Sequence, residues 1–548
     1  LNVRYYLFFT LEMFAPQNQQ PNVIDSMSGS MQEWYEAVDE AVKKSEVIPG
    51  NYEYTVATSY GNVGQIAEDA STYFDVTCDR FKVISLDNSY ITIEQKVKIN
   101  VPAHKEAFKY TTYYVGYKYA ADVIDQYRLY SNTDLLQTQN HARYEWFMMY
   151  NSVSDEAKEN SDLFATLHKI QNMNPMVPGT YVDLTGITAT GPLTITVPIK
   201  VRIPVSAFLT LFNLRFYPNW SGKLSIEIYP SYRNLVICPV IPEADMANPA
   251  IKTHFSKDPT QGCYGFYNIN QEMKNNLAFN GSAIAAQTWK CNGEGCYAEN
   301  CKIRLATYLL KMDVFNALAA KYISVPLIFP IQTVQIKDFT QPLPTGNVHY
   351  NTANTLALKH CDAMFVVFRN SEYARTCFNN PYIRFQFNVD GNIYPRESND
   401  TVHDQRFLNM TLDALNINNS LLSSISKDLR TSLQPCTEVI KSNAAGTTLT
   451  PGNVWSAGDQ SNFMIGIPFC DSEDFMGGIS TTGTVQIEMF GDRLAIQGDD
   501  GVKNIQFRAT AICFEDSLLK IRAMKPDGRP QIEITNATIE QILAGGAI

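Results

Sequence analysis

The chain lacks any run of ~18 to 20 apolar residues, the length a bilayer-spanning helix needs. Its longest candidate, residues 5–14, is broken by Thr10 and Glu12, and no small-residue cleavage site follows, so the chain reads as soluble and without a signal peptide. It also lacks a basic arm. Forty-four Lys and Arg face 55 Asp and Glu, a net charge of -11, which argues against a protein that neutralises a polyphosphate backbone by itself; no sequence-specific nucleic-acid binding is expected. P-loops, dinucleotide glycine fingerprints, nucleophile elbows and zincin helices are absent. The seven His run from His104 to His403 without ligand spacing, so neither a metal nor any other cofactor is expected, and the chain is not read as an enzyme.

What the chain has is strand text. Thirty Tyr and 29 Phe, with abundant Val, Ile and Thr, favour pleated, half-buried surfaces over helix bundles. From Phe81 a period of two sets in at Tyr90-Ile91-Thr92-Ile93 and Val97-Lys98-Ile99-Asn100-Val101. It returns in residues 193–197 and 199–203, where Pro198 and Pro204 confine their surroundings to edges or bulges, and in residues 224–228. Residues 205–216 are apolar nearly throughout and predicted buried. Later strands are residues 365–368, 383–387, 464–469, 485–489 and 505–509, and Asp390-Gly391 marks a hairpin. Helix is predicted at residues 31–44, with Trp34, Val38 and Val42 on one stripe, and at 154–173, with Leu163, Phe164, Leu167 and Ile170 on one side. The acidic stretches 33–40 and 155–162 read as solvated helix faces. Residues 252–299, rich in Gly and Asn, read as an elaborated surface loop.

A short helix interrupts the strand text near the middle. Val314, Phe315, Leu318 and Tyr322 lie at helical spacing, Asp313 is the expected N-cap, and Pro326 and Pro330 stop the helix. The first half ends its sheet at residues 303–311, and strand pattern resumes at Thr333-Val334-Gln335-Ile336. The expected fold is therefore all-β, two antiparallel sandwiches in tandem joined by a short helix, with helical insertions and long loops. Its divisions are an N-terminal arm and helix (1–50), a first sandwich (51–312), the linker helix (313–325), a second sandwich (326–525) and a C-terminal tail (526–548). The chain begins with Leu1, so either an initiator has been removed or translation starts at Met13.

Several small constellations invite a chemical reading and receive a plainer one. Eleven cysteines, an odd number, are scattered, with Cys238, Cys470 and Cys513 in apolar strand text, which suits a reducing compartment. Cys291, Cys296 and Cys301 are spaced more widely than the paired cysteines of zinc ribbons, and read as a loop of reduced thiols. His360-Cys361-Asp362 places three reactive residue types side by side, but neighbours on a strand alternate faces and cannot form one constellation unaided. Residues 388–392 resemble a calcium loop without its closing Glu and read as a turn. Six glycosylation-type triplets, including those at Asn219, Asn280 and Asn536, matter only in a secretory pathway.

The residues resemble a known family. Residues 357–369 (ALKHCDAMFVVFR) are similar to a segment in which a His and a short linker precede an apolar strand, and Asn379-Asn380-Pro381 opens the next section. Residues 463–469 followed by 474–480 resemble a strand and small-residue turn that the family often writes Pro-Ser-Gly; this chain departs from it with Met476-Gly477-Gly478. Residues 509–521 (ATAICFEDSLLKI) resemble the closing strand. In the first half residues 199–215 and 223–240 are similar, and the helix at Asp313 matches an acidic join. Together these cover most of residues 80–525 and resemble the double jelly-roll major capsid proteins of tailless icosahedral DNA viruses, the lineage of virophages, polintons and adenoviruses.

That resemblance implies two jelly rolls per subunit and a homotrimer that acts as a pseudo-hexameric capsomer of an icosahedral virion shell. It implies neighbouring capsomers, penton and minor capsid proteins as partners, and a virion assembled in the host cytoplasm or nucleus. The alternatives are a single-jelly-roll capsid protein of a small virus, and a carbohydrate-binding or hydrolytic β-sandwich protein. At the C-terminus, a plain disordered tail is one reading; the other is that Leu543, Gly545, Gly546 and Ala547 resemble the site cut by adenovirus-type maturation proteases, which would place a cut after Gly546.

Overall fold

A computed structural model describes residues 34–38, 47–58, 65–152, 179–240, 267–273, 287–370, 382–415, 437–454, 463–492, 507–522 and 531–535, with short gaps inside several spans. Sixteen strands carry the architecture. The first eight are β1 (Val47–Thr58), β2 (Thr72–Val76), β3 (Lys82–Val101), β4 (Ile124–Ser131), β5 (Asp134–Asn140), β6 (Phe216–Pro218), β7 (Leu224–Pro230) and β8 (Tyr297–Leu310). The second eight are β9 (Leu327–Asp338), β10 (Val348–Thr355), β11 (Leu358–Asn370), β12 (Tyr382–Val389), β13 (Asn392–Asp400), β14 (Met464–Pro468), β15 (Thr484–Asp492) and β16 (Phe507–Arg522). In the first half the hydrogen-bonded orders are β1-β8-β3-β6 and β2-β7-β4-β5. In the second they are β9-β16-β11-β14 and β10-β15-β12-β13, the same two orders shifted by eight. First and last strands are neighbours in each half, and all these pairs are antiparallel. The single-sandwich alternative is thereby overturned, since one set of strands cannot supply two such orders.

The period of two places the core. From Ser89 to Val101, β3 buries every second residue (Ser89, Ile91, Ile93, Gln95, Val97, Ile99, Val101) and turns the others outward. Residues 193–204, expected as two strands, form one strand along β3, with Ile91 opposite Ile203 and Val101 opposite Leu193. Among the described residues it pairs with β3 alone, an edge position of the kind that tolerates Pro198, which has no N–H to donate. Three connections of the first half send strands into a further sheet: Thr112–Tyr117 between β3 and β4, Gly179–Asp183 between β5 and β6, and Leu235–Pro239 with Tyr267–Asn268 between β7 and β8. The hairpin Thr437–Ser442 and Leu449–Val454 elaborates the second half between β13 and β14. Within the expected loop 252–299, the last strand of the first half already begins at Tyr297.

Among the described residues, helices α1 (Ala142–Asn151), α2 (Leu209–Phe212), α3 (Met312–Ser324) and α4 (Gln405–Ala414) support the strands. Residues 205–211 and Leu214 are buried as expected, in the turn before α2, in α2 itself and just after it. Residues 34–38 are helical, with Trp34 and Val38 buried; Val42 and the helix expected at 154–173 lie outside the described residues. The expected tail contains structure of its own. Gln531–Thr535 is a strand paired with Leu518–Arg522 of β16, and Ile532 is buried, so the second sandwich reaches beyond residue 525. Among the described residues no helix is long and apolar enough to cross a membrane.

Candidate functional site

The two halves meet at α3 and along β9, and that junction is built from aromatic residues and one buried acid. The first hydrogen bond of α3 runs from Phe315 N–H to the Lys311 carbonyl at 3.0 Å, so Lys311 occupies the cap. Asp313, expected there, is the second helical residue, where its charge still favours the positive end of the helix. Phe315 and Tyr322 are buried while Leu318 is only partly so. Phe315 meets Phe81 edge-on at 5.3 Å and Trp220 at 5.3 Å. Trp34 stands edge-on to Trp220 at 5.1 Å and to Tyr322 at 5.8 Å, and its indole N–H donates to the Phe216 carbonyl at 3.3 Å. Its neighbour Tyr35 approaches Phe329 of β9 at 6.3 Å, so one N-terminal segment touches both halves.

Glu145, in the first turn of α1, is fully buried and satisfied. Its carboxylate accepts from Tyr127 Oη at 2.7 Å, Gln139 Nε2 at 3.0 Å and Leu209 N–H at 2.7 Å. Burial pushes its carboxyl up and these bonds pull it back. Gln139 Nε2 also donates to the Val334 carbonyl of β9 at 3.2 Å, carrying the network into the second half. Close by, His141 Nε2 lies 3.5 Å from Asp338 Oδ2, and Asp338 accepts from Thr510 Oγ1 at 2.6 Å. No sequence motif signals Glu145; its only trace is an acid in an otherwise apolar stretch.

The second cluster lies where β11 begins. Cys361 opposes Glu515 and Ala363 opposes Phe514, so Asp362 is the extra residue of a β-bulge, and His360 before it has φ 48°. Alternation of faces, expected for residues 360–362, fails at this bulge. Asp362 forms a hydrogen-bonded pair with buried Asp516; Cys470 Sγ donates to Asp362 Oδ1 at 3.4 Å, and Gln332 Nε2 lies 3.5 Å from its Oδ2. Burial first, and then the neighbouring Asp516, push the Asp362 carboxyl up to about 9. The pair holds a proton that two adjacent carboxylates could not do without.

The same pair fastens a turn. Met476 N–H donates to Asp516 Oδ2 at 2.7 Å, His360 Nδ1 to the Met476 carbonyl at 2.9 Å, and His360 N–H to Ser480 Oγ at 3.0 Å. A Cβ on Gly478 would collide with the Cys361 carbonyl, which explains a glycine at that turn. Cys361 faces Cys513 and the Ala363 carbonyl. His360, Cys361 and Asp362 thus have three different sets of partners.

Of the other residues singled out from sequence, Cys291 and Cys296 come together, their sulfurs 3.6 Å apart, while Cys301 donates to the Glu299 carbonyl at 3.7 Å. Residues 388–392 form the β12–β13 hairpin, with Asp390 at φ 50°, Gly391 at φ 87° and Asn388 Oδ1 accepting from Gly391 N–H at 2.9 Å. Among the described residues no three metal-capable side chains gather. Leu543, Gly545, Gly546 and Ala547 lie outside the described residues, as do Asn219, Asn280 and Asn536.

Two consecutive sandwiches, each with its strands in jelly-roll order and joined by α3, define a double jelly-roll protein. No protein-family model matches the sequence, and no curated protein matches it. Among solved structures the chain is similar to one in the cryo-electron microscopy structure of the Sputnik virophage, with 9% identity, a TM-score of 0.49 and 91% of each chain covered. It is similar to the mavirus major capsid protein at 10% identity and TM-score 0.47, over 90% of this chain and 92% of that one. For the Faustovirus major capsid protein the identity is 9% and the TM-score 0.39, over 90% and 97%. Likeness at such identities concerns the fold alone.

Proposed function

We propose that the chain is a major capsid protein, a structural subunit that assembles as a homotrimer and builds an icosahedral virion shell. The observation that carries this reading is the strand order repeated in full from β1–β8 to β9–β16. Two similar lobes per subunit give a threefold trimer six lobes, so a closed cyclic assembly can occupy positions of pseudo-sixfold symmetry in a shell. The junction supports it as well. The buried Glu145 network and the Trp34–Trp220–Tyr322 cluster tie the lobes together, as a tile with a fixed outline requires.

In this reading the protein works by burying inter-subunit surface against the loss of translational and rotational freedom. Its partners are neighbouring capsomers, penton and minor capsid proteins, and its place is the virion, assembled in the host cytoplasm or nucleus. The chain's charge of -11 leaves genome neutralisation to other components. The test is native mass measurement and electron microscopy of the purified chain. A species of three 61.7 kDa subunits with a hexagonal outline is the expected result. A monomer at micromolar concentration, with no larger particle, overturns the proposal.

A further inference from the structure

Cys291 and Cys296 bracket a tight turn whose two flanks are both held against β3. Before it, Lys290 pairs with Asn100 through hydrogen bonds of 2.8 and 3.0 Å. After it, the Lys98 N–H donates to Cys296 Sγ at 3.3 Å, where the pairing of β8 with β3 has ended at Tyr297 and Lys96. The turn is closed by Cys296 N–H donating to the Gly293 carbonyl at 2.9 Å, with Gly293 at φ 76° and Gly295 at φ 77°. The two sulfurs lie 3.6 Å apart, so a covalent bond needs an approach of only about 1.5 Å.

We infer that Cys291 and Cys296 are a redox-modification site, forming an intrachain disulfide by exchange with a small-molecule disulfide and so locking this turn onto β3. One thiol loses its proton, and its sulfur attacks the small disulfide, releasing one small thiolate that takes up that proton. The second cysteine, deprotonated in turn, attacks the mixed disulfide, forms the Cys291–Cys296 bond and releases the second small thiol. The two protein thiols are oxidised, one small disulfide is reduced to two thiols, and no further reactant is needed.

The surroundings favour this pair over the other neighbouring thiols. Glu294 and Gly295 at the tip are exposed, so opening one turn uncovers sulfurs that are buried in the closed state. The Lys98 side chain lies over Gly295 at the tip of the same turn, and the Lys98 backbone meets Cys296 Sγ. By contrast Cys361 and Cys513 are fully buried on β11 and β16, where exposure requires opening the sheet. Cys301 is a bystander, its thiol pushed up to about 12 by burial.

The experiment treats the native full-length protein with oxidised glutathione, alkylates the remaining thiols and maps the peptides. The expected result is a linked Cys291–Cys296 peptide lighter by two hydrogens, two fewer alkylated thiols per chain, and reversal by dithiothreitol. Cys291→Ser and Cys296→Ser should each abolish the linked peptide, whereas Cys361→Ser should leave it. Slower amide exchange at Lys98 and Cys296 after oxidation would report the locked turn. The inference is overturned if both thiols stay alkylatable, if only glutathione adducts form, or if Cys361 and Cys513 link instead. None of these outcomes depends on whether the chain forms trimers.

Discussion

At the bulge in β11 one additional residue decides what the second sandwich can hold. Asp362 turns toward Asp516, and the shared proton keeps the Met476 turn in place. The carboxyl that sits at about 9 in the fold has an ordinary value near ~4 in the unfolded chain. Because the folded value is the higher one, its contribution is full below pH ~4 and is lost as pH rises through about 9. The denaturation midpoint should therefore fall between pH 5 and pH 9, and Asp362→Asn, which cannot ionise, should flatten that fall. Urea titrations at several pH values check it; parallel slopes for the two proteins would refute the assignment. Gly478→Ala acts at the same place by crowding the Cys361 carbonyl, and should cost about 1–3 kcal/mol in the same assay.

Among the elements, α3 shows what the sequence does and does not reveal. Its position follows from Val314, Phe315, Leu318 and Tyr322 at helical spacing, yet which of them anchors it depends on Trp34, Phe81 and Trp220, far away in the chain. Phe315→Ala should accordingly cost about 3–5 kcal/mol. Leu318→Asp, at first sight the harsher change, should cost less because Leu318 is only partly covered. Asp313→Pro should be nearly silent, since proline suits the first turn. Thermal unfolding of the three variants orders them. The alternation in β3 and the Asp390-Gly391 hairpin were equally legible, because each is written in adjacent residues. The third sheet was not, because Thr112–Tyr117 finds Gly179–Asp183 and Leu235–Pro239 across long stretches of chain. Glu145 and the Asp362–Asp516 pair escaped for the same reason: their meaning lies in partners that no local spacing announces.

For the molecule taken whole, the proposed shell role carries a prediction about the C-terminus. The strand Gln531–Thr535 fastens the chain to β16, so cutting after Gly546 would leave the second sandwich unchanged. Mass spectrometry of subunits from particles should show the loss of Ala547 and Ile548 when an adenovirus-type protease is supplied. An intact end under those conditions removes the processing site and leaves the fold as it is.

The repeated strand order also sets a timetable for synthesis. In each half the first strand pairs with the last, Val47 with Leu310 and Leu327 with Ile521. At ~5–20 residues per second, a ribosome needs roughly 13–53 s to pass from the start of β1 to the end of β8. Among the described residues β8 is the strand that pairs with β1, so for that interval β1 lacks this partner, and an unpaired strand is a template for the same strand on the next nascent chain of a polysome. A cell making this protein in quantity must therefore either keep β1 covered or space its ribosomes widely. The first lobe can close before β16 exists, so the chain leaves the ribosome with one half finished and only the other at risk.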